Sequence, residues 1–388
     1  MNRKPRVSST QYCGLWLKAH YKIIFAGVFM ALSFVSMTTP VYIVNHNPHL
    51  KHDAYKVSLV YSLLSILFFT VLSVFASRGD AFELIWKLLH PKISLPIGIC
   101  VGLNCVCLLL AGPYLPSPIQ AIFSEAQLVT VYLVNLHFGN KPFGYQHAIV
   151  GFIIGINLST IWNEGRFHSS LSGWILSIWC LVYLLNSLAL GMANTLMEVL
   201  LEVFVVLRDD AVPLLVPHSN NNNVSAITRS KYSIWEFIFA IGVAVNIWAF
   251  VTSIPLSLLA WLAYGDDFKQ HVFLDWSTFN WKDMKWVLIM GVASWIYTVV
   301  SYYMIKKTTA LWVTVSSQLA TIVKLIIFAT ITDPTYRFAP SVGGWISNSL
   351  VCFASLLYLM GSPQKHREEI LNSRLGRAWQ NVVNRLFQ

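Results

Sequence analysis

Charge is what this sequence lacks most. Asp, Glu, Lys and Arg make up 11% of its 388 residues, against about 25% in an ordinary soluble domain. A chain this size with so little charge cannot cover its surface in water, which excludes a soluble globular enzyme. It also excludes a disordered chain, because disordered segments are charged and poor in apolar residues. Segments of about 10 residues with alternating polarity, the mark of a transmembrane β-barrel, are missing. No Walker-type phosphate loop is present, which argues against ATP-driven pumping. Paired cysteines are missing too. Of the six, Cys100, Cys105, Cys107, Cys180 and Cys352 lie inside apolar runs, and Cys13 stands alone. Neither a disulfide framework nor a zinc site is expected, and no cofactor is implied.

What fills the sequence instead is long apolar runs: 56% of the residues are hydrophobic. A helix needs about 20 predominantly apolar residues to span a bilayer. Ten such runs are expected, at 23–44, 57–75, 93–111, 118–137, 147–162, 173–192, 234–262, 286–305, 309–331 and 340–360. The first follows a basic segment and is too long for a signal-peptide core, so it reads as a span. With the N-terminus cytoplasmic, the cytoplasmic segments carry 19 Lys and Arg and the opposite loops 7; Lys324, inside span nine, completes the 27. That bias places both termini in the cytoplasm. It also accounts for the net charge of +10 without nucleic acid as a partner. Single cysteines at Ser9, Asn221 and Ser373 should therefore label from the cytoplasmic side and one at Ser277 from the other. Labelling of Asn221 and Ser277 from the same side would contradict ten spans.

The expected organisation is an all-α polytopic membrane protein. Residues 1–22 form a cytoplasmic segment, 23–162 a first five-span repeat and 163–360 a second. The second repeat contains a cytoplasmic loop at 208–233 and a lumenal loop at 265–285. Residues 361–388 form a cytoplasmic amphipathic tail, whose basic face suits anionic membrane lipids. Ser77–Lys92 places Phe82, Ile85, Trp86 and Leu89 at helical spacing, the pattern of an interfacial helix. His49-Leu50-Lys51-His52-Asp53 is an HxxxD of the kind used in acyl transfer, which keeps a membrane-embedded enzyme open as an alternative. A non-transporting receptor or scaffold is another.

Five spans per half means the two halves are inverted in the membrane, as in many secondary transporters. One internal echo supports this: Gln127-Leu128-Val129-Thr130-Val131 in span four and Gln318-Leu319-Ala320-Thr321-Ile322 in span nine. These two spans are also among the most polar. Gln120, Ser124, Glu125 and Gln127 mark the first, and Ser317, Gln318, Thr321 and Lys324 the second. Such side chains are costly against lipid and should face a cavity or one another. Thr314, Ser317, Thr321 and Lys324 share one helical stripe. Glu125 and Lys324 lie at similar depth, about 10 Å from the same side, so an ion pair or a proton- or substrate-responsive site is expected. Gly151 and Gly155 form a GxxxG, which reads as close helix packing.

Two stretches carry a family resemblance. One is Ser117-Pro118-Ile119-Gln120-Ala121-Ile122-Phe123, continuing to Gly144-Tyr145 and Gly151. The other is Val299-Val300-Ser301-Tyr302-Tyr303-Met304-Ile305 followed by Val313-Thr314-Val315-Ser316-Ser317-Gln318. Here the chain resembles the drug/metabolite transporter superfamily, and within it the chloroquine-resistance-transporter-like family. The sequence departs from that family in having Glu125 and Lys324 in these spans, and in lacking a cysteine-paired lumenal loop. The resemblance implies a ten-span solute carrier in an acidic organelle membrane, vacuolar or lysosomal. It would move a small-molecule substrate (an amino acid, a peptide or a cationic drug-like molecule) by alternating access, with protons as a possible coupling partner.

Overall fold

The computed structural model describes residues 9–47, 50, 53–77, 79–115, 119–120, 123, 126–137, 144–168, 173–208, 232–256, 258, 265, 281–330, 341–360 and 374–387. The regular structure among them is helical. In chain order the helices are α1 (Ser9–His46), α2 (Ala54–Ser77), α3 (Ala81–Leu88), α4 (Pro91–Ala111), α5 (Ala126–His137) and α6 (Gly144–His168). They continue with α7 (Gly173–Arg208), α8 (Ile234–Ser253), α9 (Met284–Lys307), α10 (Ala310–Thr330), α11 (Val342–Met360) and α12 (Arg374–Phe387). Helices α1, α2, α4, α7, α8, α9 and α10 are long and apolar enough to cross a membrane. On expected spans four, five and ten lie α5, α6 and α11; the described residues of these three do not reach that measure of length and apolarity. The chain is a multi-pass, all-α membrane protein.

Local chemistry fixes the ends and interiors of these helices. Ser233 caps α8: its Oγ accepts from the Glu236 amide at 3.2 Å, and the Glu236 carboxylate accepts from the Ser233 amide. Pro91 opens α4, where a missing N–H costs nothing. Inside the spans, hydroxyls donate back to their own helix: Ser62 Oγ to Ser58 O at 3.0 Å and Thr70 Oγ1 to Ile66 O at 2.7 Å. A polar side chain satisfied this way can face an apolar environment without stranding a donor.

With lipid as apolar as leucine, helix association rests on close packing, which small residues permit. Gly98 and Gly102 serve that purpose between α4 and α8. A Cβ on Gly98 would lie 2.3 Å from Trp248 Cβ and 3.1 Å from Val245 O, and one on Gly102 would lie 2.8 Å from Ala249 O. Gly191 serves likewise between α7 and α5, where an added Cβ would lie 2.9 Å from Gln127 O. Gly151 and Gly155, expected from their spacing to pack closely, have nothing within 4 Å and face outward. Gly98→Val should cost about 1–3 kcal/mol through overpacking, whereas Gly151→Val should stay within about 0.5 kcal/mol. Thermal unfolding of the purified variants checks the contrast.

Within the expected helical stretch 77–92, α3 covers only Ala81–Leu88, between the end of α2 at Ser77 and the start of α4 at Pro91. It buries Leu84, Ile85 and Leu88, packs on α8, and leaves Phe82 and Trp86 exposed. The tail differs from its expected place on a lipid leaflet. Helix α12 packs its apolar face on α7 and α4, burying Trp379 and Val383 in the main core. The Trp379 indole donates to Lys92 O at 2.9 Å. Arg377 and Arg385 lie on its exposed side. The loop residues 209–231 and 266–280 lie outside the described residues, as do His49 and His52.

Candidate functional site

A cavity opens among α1, α2, α4, α5, α7, α8, α9 and α10, with Gln120 from the segment before α5 also in its wall. Its empty volume, mouth included, is about 1340 Å³. The residues that make it are set by helical spacing. Asn186, Leu190, Ala193 and Asn194 fall on one face of α7, and Tyr297, Thr298, Ser301 and Tyr302 on one face of α9. Between them stand aromatic walls: Phe34 of α1 meets Tyr297 with ring centroids 5.4 Å apart. Tyr42 lies 4.2 Å from the ring of Phe328 on α10.

Of the residues singled out in the sequence, Gln120, Gln127 and Lys324 come together on this cavity. Gln120 is braced: its Nε2 donates to Gly112 O and Leu115 O, both at 2.8 Å, which holds the turn after α4. Gln127 Oε1 is buried with no hydrogen-bond donor. Ser317, Gln318 and Thr321 are buried on α10 outside the lining set. Ser317 Oγ donates to Val313 O at 2.8 Å and lies 3.2 Å from the Tyr297 hydroxyl, so it steadies a cavity wall from behind. The backbone carbonyl of Gln318 accepts from Cys352 Sγ of α11 at 3.2 Å. The Thr314, Ser317, Thr321 and Lys324 stripe is buried throughout. Ser124 and Glu125 lie outside the described residues.

Lys324 is 6% exposed. Among the described residues it has no hydrogen bond and no ion pair; its Nζ lies over the Phe328 ring, 5.6 Å from the centroid. The described lining contains no carboxylate. The cavity wall therefore carries one formal positive charge from the described residues, set among aromatic and amide groups.

Several lining residues were not singled out in the sequence. Asn104 of α4 donates through Nδ2 to the Asn186 side chain and, at 3.3 Å, to Asn186 O, clasping α4 to α7. Asn194 Nδ2 and Ser187 Oγ are buried without partners. Farther along the same helix, Glu198 Oε2 accepts from the Ala310 amide at 3.0 Å. That carboxylate caps the N-terminus of α10, where negative charge suits the helix dipole. The available signal was a polar line on α7, Ser187, Asn194, Glu198 and Glu202, at intervals of seven and four.

The HxxxD motif is represented here by Asp53, whose carboxylate lies 3.0 Å from Nζ of the fully buried Lys56. The described residues contain no group of three or more His, Cys, Asp or Glu side chains able to hold a metal ion. In comparisons with known proteins, no family model matches the chain and no curated protein matches it.

Proposed function

We propose that this chain is a secondary transporter that moves a small organic solute by alternating access, built from two inverted five-span halves. The observation that carries the reading is how its helices pair. Numbering the spans in order, α1, α2, α4, α5 and α6 form one half, and α7, α8, α9, α10 and α11 the other. Exchanging the halves turns the α4–α7 packing into α9–α1, and α1–α10 into α7–α5; all four occur. The pairs α2–α8, α5–α10 and α6–α11 map onto themselves and also occur. Packing between α10 and α11 has no matching extensive contact between α5 and α6 among the described residues.

The main departure supports the mechanism. Helices α4 and α8 pack extensively, while their counterparts α9 and α2 meet sparingly. In an inverted-repeat carrier, such a pair of unequal contacts exchanges roles when the cavity turns to face the other side. A cysteine placed at the lining residue Leu190, in a cysteine-free background, should react with an impermeant thiol reagent mainly from one side at rest. Reactivity from the opposite side should rise during turnover. Equal reactivity from both sides at all times would indicate an open pore.

A further inference from the structure

We propose that the transported solute is an organic monocarboxylate with an apolar or aromatic body, and that Lys324 is the group that holds its carboxylate. The inference rests on the transporter reading for the word "transported" and on the cavity alone for the binding. Three observations converge. Lys324 lines the cavity, is more than nine-tenths buried, and has no anion among the described residues. Two further unpartnered groups that line the same cavity, from α7, can donate: Asn194 Nδ2 and Ser187 Oγ. Aromatic rings, Phe34, Tyr42, Tyr183 and Tyr302 among them, share the rest of the lining with aliphatic, amide and hydroxyl side chains.

Burying an ammonium without a counter-charge is expensive, and such a charge inside a membrane protein normally marks a solute or ion path. A methionine would fill similar space at no such cost. The charge decides which solute completes the cavity. A cation entering would meet Lys324 with like charge and no described carboxylate. A monoanion cancels the charge, and the neutral pair can then be enclosed between apolar walls. One ammonium matches one carboxylate better than a doubly charged phosphate, which would leave excess negative charge. Gln127 Oε1, an acceptor with no donor, suits a hydroxyl or N–H on the same solute. This departs from the cationic solutes that the family resemblance implies.

The test uses the purified full-length protein and three probes that share one body: phenylacetate, phenylacetamide and phenethylamine. A ligand that binds the folded state raises its unfolding temperature by mass action. Saturating phenylacetate should raise it by about 3–6 °C, the amide and the amine by less than about 1 °C. The rise should vanish in Lys324→Gln and persist in Gly151→Ala, a control on the outer face of α6. Stabilisation by the amine, persistence of the phenylacetate shift in Lys324→Gln, or no shift with phenylacetate or with 4-methylpentanoate, an aliphatic counterpart, would each overturn the proposal. Glu125→Gln adds a second check. If Glu125→Gln and Lys324→Gln each lower stability and the double variant restores it, Glu125 is the lysine's partner and the assignment fails. Carboxylate binding without flux would sink the transporter reading and leave this site intact; flux of cations with no carboxylate binding would do the reverse.

Discussion

Lys324→Met is expected to reduce solute transport by about 100-fold and, at the same time, to raise the unfolding temperature of the empty protein. The two effects have one cause. Removing a desolvated charge that grips an oppositely charged ligand typically costs about 2–5 kcal/mol of binding, and 100-fold lies inside that range. Without ligand the ammonium is a liability: it is buried, and the Phe328 ring at 5.6 Å offers weak compensation. Replacing buried charges by apolar groups of similar volume is often neutral or stabilising by about 1–4 kcal/mol. Tryptophan fluorescence during heating reads the stability, and flux assays on the same preparation read the transport. A variant that unfolds well below the wild type would mean that Lys324 already has an anionic partner.

Glu198→Ala is expected to destabilise the protein by about 2–5 kcal/mol, and Glu198→Gln by much less. Alanine leaves the buried Ala310 amide without its acceptor at 3.0 Å, which costs about 1–3 kcal/mol. It also removes a negative charge from a helix N-terminus, worth up to about 2 kcal/mol when partly buried. Glutamine keeps the acceptor oxygen and loses only the charge. Because α10 carries Lys324, the same contact fixes the height of the cavity's cation. Monodisperse yield and unfolding temperature separate the two variants; equal behaviour of alanine and wild type would remove Glu198 from the account.

The features readable in the sequence were those set by periodicity on a single helix. The stripe from Thr314 to Lys324 is buried as its spacing implies, and α3 forms where Phe82, Ile85 and Trp86 repeat. Features set by two helices meeting were not readable. Gly151 and Gly155 share a motif with Gly98 and Gly102, yet only the second pair faces a neighbouring backbone. The motif permits close approach without naming a partner. Span six was expected to end at residue 192, because apolar runs stop where polar residues begin. Helix α7 continues to Arg208, and Asn194, Glu198 and Glu202 lie buried in that extension. A polar residue ends a lipid-facing run, but it need not end a helix whose polar side faces a cavity or another helix. Lys56 was missed likewise: α2 begins before the apolar run, and its salt bridge to Asp53 allows the pair to be buried.

Counterflow in proteoliposomes tests the central claim most directly. Vesicles holding the purified protein are loaded with unlabelled phenylacetate, diluted into a trace of labelled phenylacetate, and followed for transient accumulation of label. A carrier that closes around a neutral ion pair should accumulate label above equilibrium when loaded, and much less when empty, because closing without an anion strands the Lys324 charge. The accumulation should saturate with phenylacetate, ignore phenethylamine and vanish in Lys324→Met. Label entering loaded and empty vesicles alike, at the rate of protein-free liposomes or without saturation, would contradict a carrier built around this cavity.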